Sequence, residues 1–72
     1  MITIDQLLES VDLNFEPRWI TKDSNGIISI FAERPERQST VWDSCKKMQI
    51  FGKIKLTEFD GKIWIECIYE VP

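Results

Sequence analysis

The chain has 72 residues, 43% hydrophobic and 29% charged, with nine Lys and Arg against twelve Asp and Glu for a formal net charge of −3. That balance excludes a disordered tail, and the length suffices for one domain, residues 1–72, burying only roughly 60% of its unfolded surface. With no histidine in the sequence, there is no Ser-His or Cys-His pair, no imidazole zinc site and no group titrating near neutrality by default.

A core of this size seldom supplies more than about 3–5 kcal/mol without a staple or self-association, so a homo-oligomer is open. No apolar run reaches the roughly 18 residues that span a bilayer, and MITIDQLLES has neither a basic leader nor a long apolar stretch. The expectation is a cytoplasmic chain away from membranes. Cys45 and Cys67 are the only cysteines and have no CxxC spacing, which points to reduced thiols.

At the N-terminus, Thr3 and Gln6 have the spacing of a capping box, and Ile2 and Leu7 take the staple positions around it. Ile4, Leu7, Leu8 and Val11 follow helical spacing, which predicts a helix from Ile4 to Val11 with one buried face. Leu13 and Phe15 then alternate with polar neighbours until Pro17, which disfavours helical backbone at Glu16.

In RWITKDSNGIISIFA, Asn25-Gly26 lies between two runs rich in Ile and aromatics, which predicts a hairpin closed by a type I′ turn. It pairs Arg18–Lys22 with residues 27–32. A two- or four-residue loop puts Trp19 and Thr21 on one face with Ile28 and Ile30, and Ile20 on the other with Ile27 and Phe31. Apolar groups on both faces point to an interior position in the sheet or to a partner covering the second face. ERPERQS, broken by Pro35, reads as a solvated loop, and Thr40-Val41-Trp42 as a short edge strand.

The last third, QIFGKIKLTEFDGKIWIECIY, contains one Asp-Gly, at 60 and 61. A two-residue turn there pairs Leu56 with Ile65, Ile54 with Cys67, Gly52 with Tyr69 and Ile50 with Val71, giving one apolar face. The other face pairs Lys55 with Glu66, Thr57 with Trp64, Lys53 with Ile68 and Phe51 with Glu70. Phe51, Trp64 and Ile68 are thereby left on the mixed face, which, with Ile20 and Phe31, is a candidate surface for a partner or a second copy.

Asp5, Glu9 and Asp12, followed by Glu16, recur at spacings that share one side of a continuous helix, and no basic residue precedes Arg18. Such a stripe suits docking on a basic surface, although an amphipathic helix needs a polar face in any case and Asp5 suits the helix dipole. In the middle of the chain, Arg34, Arg37, Lys46, Lys47, Lys53 and Lys55 outnumber Glu33, Glu36 and Asp43. Lys46, Lys47, Lys53 and Lys55 with Trp42 and Phe51 form the alternative, a surface for single-stranded nucleic acid. The acidic balance of the whole chain opposes it, and lysines also guard strand edges.

Carboxylate catalysis needs two acids converging in a cleft, a condition that spacing alone does not meet. Asp60 is accounted for as a turn residue, Glu66 as the partner of Lys55, and Cys67 as a small buried hydrophobe. Cys45 precedes Lys46 and Lys47, which would favour its thiolate if exposed. Glycines at 26, 52 and 61 build no phosphate loop. No cofactor or metal is expected, and no enzyme.

The stretch EPRWITKDSNGIISIFAERP, with the later Trp42, resembles small accessory proteins of tailed bacteriophages and prophages. They share a Trp-bearing strand, an Asp-x-x-Gly turn, an apolar strand, an acidic-basic-Pro break and a second Trp. The resemblance covers about the first two-thirds of the chain and carries over no catalytic residue. It implies a small protein acting in a bacterial host's cytoplasm, a group that includes modulators of host proteins.

The expected fold is α+β, a short N-terminal helix packed on an antiparallel sheet of four or five strands made of two hairpins. The expected function is a non-enzymatic module that binds a bacterial host protein. The alternatives are a single-strand nucleic-acid binder and a self-associating structural protein.

Overall fold

The computed structural model describes residues 1–72 and has the expected α+β architecture. Helix α1 spans Ile4–Ser10, and the strands are β1 (Trp19–Lys22), β2 (Ile27–Phe31), β3 (Glu36–Arg37), β4 (Trp42–Asp43), β5 (Met48–Lys53) and β6 (Ile68–Glu70). Four strands form one antiparallel sheet in the order β5-β2-β1-β6, while β3 and β4 pair separately as a small arm. No helix is long and apolar enough to cross a membrane.

The capping box closes as the sequence predicts. Gln6 N–H donates to Thr3 Oγ1 at 3.1 Å, and Thr3 N–H donates to Gln6 Oε1 at 2.9 Å. A further cap comes from far along the chain, where Glu58 accepts the Ile4 N–H on both carboxylate oxygens, at 3.0 and 3.1 Å. The segment before α1 is itself docked, through a bridge of Ile2 to Leu56 and a bond from Thr57 N–H to the Ile2 carbonyl at 2.8 Å. Ile4 and Leu7 are thereby fixed over one face of the sheet, in a core with Ile20, Ile28, Ile30, Leu56, Phe59 and Cys67.

The central hairpin forms where expected, but its turn differs. Gly26 N–H bonds to the Asp23 carbonyl and Asp23 N–H to the Ile27 carbonyl, both at 2.9 Å, so the loop has three residues. Gly26 alone in it takes positive φ, at 87°, the signature of a tight turn followed by a one-residue bulge rather than the type I′ turn. The odd loop length moves the register by one relative to the two- or four-residue expectation. Ile20 therefore faces Ile30, and Trp19 faces Phe31. Ile20, Ile28 and Ile30 line the helix side, while Trp19, Thr21, Ser29 and Phe31 share the opposite side, correcting the expected distribution of faces.

The second hairpin does not form, and the sheet instead gains β5 on the edge of β2 and β6 on the edge of β1. Two physical causes act together. Asp60 has φ −62° and ψ 131° and Gly61 φ 76°, with Lys62 N–H bonded to the Phe59 carbonyl at 3.1 Å. These are type II turn angles, whose twist splays flanking strands instead of pairing them. A detached hairpin would also leave both edges of the central hairpin open, whereas dividing the strands closes both and buries Leu56 and Cys67, 2% and 0% exposed. On β5, Ile28 stands opposite Gly52 and Ser29 opposite Ile50, so Phe51 is the extra residue of a bulge at Gly52, with φ 96°.

The far side of the sheet is covered by residues 33–47. Ser24 N–H and Oγ both donate to the Thr40 carbonyl, at 3.2 and 2.8 Å, and the Trp42 N–H donates to Asp23 Oδ1 at 2.8 Å. The ERPERQS segment, expected to be a solvated loop, thus contains β3 and a buried Pro35, while the short strand expected at Thr40-Val41-Trp42 forms as β4, Trp42–Asp43, with Trp42 as a buried anchor. Phe31, Thr21 and Ser29 beneath it are at most 1% exposed. The Thr21 hydroxyl is the one buried side-chain polar atom without a hydrogen-bond partner.

Candidate functional site

The residues read as a contact surface do not share one face. Phe51, half-buried on β5, packs against the helix-side core, and Ile68, half-buried on β6 at the other edge of the sheet, stands opposite Thr21. Ile20 and Phe31, read with them, are both 0% exposed and contribute no surface. Of this group, Trp64 alone sits in an exposed apolar setting. It is the first residue of a 3-10 turn, Trp64–Glu66, flanked by Ile63 at 59% and Ile65 at 41% exposure.

That turn is held from behind. Trp42 Nε1 donates to the Trp64 carbonyl at 3.2 Å, and the two indoles meet edge to face with ring centres 6.4 Å apart. Glu66 N–H bonds to the Ile63 carbonyl at 2.9 Å and Cys67 N–H to the Trp64 carbonyl at 3.0 Å. The Cys67 thiol donates to the Ile63 carbonyl at 3.3 Å. The Arg37 guanidinium lies 6.0 Å from the Trp64 ring centre. Ile63-Trp64-Ile65 is therefore an apolar knuckle on a backbone already fixed, so little ordering entropy remains for a partner to meet. Sequence reasoning singled out Trp64 but paired Ile65 with Leu56 in a core. A three-residue apolar run that cannot alternate across a strand was the available signal.

The acids of the N-terminal segment are all exposed, but they form no single helical stripe. Asp5 and Glu9 lie on α1, which ends at Ser10, leaving Asp12 and Glu16 beyond it on non-helical backbone. Glu16 instead pairs with Arg18 at 3.3 Å, the protein's one ion pair, between exposed side chains. Neither group around the nucleic-acid alternative keeps its expected partner. Trp42, only 7% exposed and committed through its ring N–H, offers no free face for a base, whereas Lys46, Lys47, Lys53 and Lys55 are exposed.

Two titratable groups are perturbed. Burial raises the Asp23 carboxyl above the ordinary carboxylate range, the Trp42 N–H opposes that shift, and Asp43 adds to it. Burial likewise raises the Cys67 thiol, with Lys22 and Lys62 pulling it down and Glu66 pushing it up. Cys67, 0% exposed, is the buried hydrophobe the sequence predicts, and Cys45 is an exposed free thiol.

A cleft of about 320 Å³ opens where the β1–β2 turn meets the chain leaving β5. Ile54, Leu56 and Phe59 give it apolar lining, and Lys22, Lys53, Lys55 and Asp60 supply the charge. Sequence reasoning placed Lys53 and Lys55 on a strand face and gave Lys22 no role, because this cleft joins segments far apart in the chain. Comparison with protein-family models, curated proteins and solved structures finds no match.

Proposed function

We propose that this chain is a non-enzymatic protein-interaction module whose contact point is the Ile63-Trp64-Ile65 knuckle. The observation carrying this reading is the exposure of Ile63 and Ile65, 59% and 41%, beside a Trp whose backbone is pinned by Trp42. A small domain gains nothing in stability by leaving two isoleucines in water, whereas an apolar prong with an aromatic centre is the composition of a binding hot spot. Arg37, Lys62 and Glu66 give it a charged rim. The complementary partner is a protein with an apolar pocket. The resemblance of residues 16–35 to phage accessory proteins supports a host protein in the bacterial cytoplasm.

Residues outside the core make the test clean. Ile63→Asp/Ile65→Asp, which leaves the Trp42 to Trp64 bond in place, is compared with the unaltered chain in affinity capture from bacterial lysate. Any captured protein is then purified and titrated by calorimetry. The expected result is one stoichiometric partner whose affinity falls at least about tenfold in the variant. Equal affinity for both chains overturns the assignment of the knuckle. Concentration-dependent sedimentation that the variant abolishes assigns the surface to a second copy and overturns the host-partner reading.

A further inference from the structure

A different part of the molecule carries a second site. We infer that the cleft between the β1–β2 turn and residues 53–61 binds a small organic anion, a phosphate or carboxylate borne on an apolar or aromatic group.

The inference rests first on unneutralised charge. In a protein of net charge −3, three lysines, Lys22, Lys53 and Lys55, line one cleft, and none of them takes part in an ion pair, since the protein's one pair is Arg18–Glu16. Asp60 is the sole acid among the lining residues, so the cleft carries a local excess of positive charge against the sign of the whole. Like charges gathered this way repel one another, a cost that a bound anion removes. Ammonium groups donate charge-assisted hydrogen bonds to phosphate and carboxylate oxygens, the stronger kind of such bonds.

The second support is shape and chemistry. A volume of about 320 Å³ lies at the lower end of the size range of small-molecule sites, which typically combine an apolar floor with a few polar groups. Leu56 and Phe59, 2% and 3% exposed, are fixed in the core and present a firm base. Gly26 and Gly61 stand on the walls at φ 87° and 76°, and a Cβ at either would meet nothing within 4 Å. The backbone there is open to a ligand. The lysine stems can lie along the apolar body of the guest while their ammonium groups reach its anionic end. Phe59 is the single aromatic residue lining the cleft, whereas a strand needs successive stacking platforms, so the geometry favours a compact ligand over a nucleic-acid strand.

Phenyl phosphate is the probe. In amide-resolved NMR titrations of the full chain at low salt, saturable shifts are expected at Gly26, Ile54, Leu56 and Gly61. They should weaken as salt rises. Benzyl alcohol, which lacks the charge, and inorganic phosphate, which lacks the ring, should each bind at least about tenfold more weakly. Lys53→Gln/Lys55→Gln should lower phenyl phosphate affinity about tenfold, and Asp60→Asn should raise it, so the two variants move in opposite directions. No saturation with phenyl phosphate, affinity unchanged in both variants, or shifts centred on Lys46 and Lys47 would each overturn the inference. Tight binding of a single-stranded oligonucleotide, with affinity growing with its length, would overturn it in favour of a polyanion surface. The knuckle variant Ile63→Asp/Ile65→Asp should bind phenyl phosphate normally, so the two sites fail or stand separately.

Discussion

Asp23 sits at 8% exposure with its Oδ1 accepting the Trp42 N–H at 2.8 Å, a single contact tying the central turn to the covering arm. Its carboxyl is raised by burial, partly offset by that bond and reinforced by Asp43. A group whose folded pKa lies above its unfolded value stabilises the fold fully below the unfolded value, about 4 for Asp. That contribution is lost as pH rises through the raised folded value. Asp23→Asn keeps an oxygen acceptor and removes the charge. Its melting temperature relative to the unaltered chain should therefore improve from pH 3.5 to pH 7, as read by thermal melts at ~3.5 and ~7. Asp23→Ala leaves the Trp42 N–H without its partner and should cost about 1–3 kcal/mol in denaturant unfolding. A relative melting temperature of Asp23→Asn that instead falls from pH 3.5 to pH 7 would show that the buried charge is itself favourable.

Among the elements, the turns decide more than the strands. Gly26 takes φ 87° with nothing near its missing Cβ, so Gly26→Ala meets backbone strain without a clash. The expected cost is about 1–2 kcal/mol in chemical unfolding. A neutral outcome would mean that the turn relaxes to another loop length. The position of the first hairpin was legible from Asn25-Gly26 between apolar runs, but its register was not, because a bulge inserts one residue without altering the pattern that announces the turn. Asp60-Gly61 shows the same limit more severely. The dipeptide was rightly read as a turn, but two residues do not say whether the angles will be type II or I′, and the hand determines whether the flanking strands meet. Helix α1 was read almost to the residue, since the Thr3–Gln6 box and the spacing of Ile4 and Leu7 are local. The cap from Glu58, 54 positions after Ile4, was not visible.

At the scale of the whole molecule, stability depends on covering both sides of one four-stranded sheet. The helix side holds the contiguous core, and the other side is sealed by an arm whose one large buried anchor is Trp42. Trp42→Ala should cost about 3–5 kcal/mol, comparable with what a core of this size supplies. The expected readout is loss of a cooperative unfolding transition at physiological temperature. Trp42→Phe keeps most of the apolar contact but loses the ring N–H bond to the Trp64 carbonyl at 3.2 Å. It should leave the domain folded while loosening the knuckle, visible as faster amide exchange at Glu66 and Cys67. Unchanged cooperativity in Trp42→Ala would show that the arm is dispensable to the sheet.

Composition, helical spacing and turn dipeptides by themselves determined that this chain adopts a small α+β fold with an antiparallel sheet, a capped N-terminal helix and a buried Cys67. These properties depend on groups a few residues apart, or on apolar content alone. Tertiary structure alone decided that β5 and β6 lie on opposite edges, that Trp42 is an internal anchor, that Ile63 and Ile65 stand exposed, and that Lys22, Lys53 and Lys55 share a cleft. Each of these follows from competition among distant segments for the open edges and uncovered faces of a single hairpin, and the winner is set by the total apolar surface buried rather than by any local pattern.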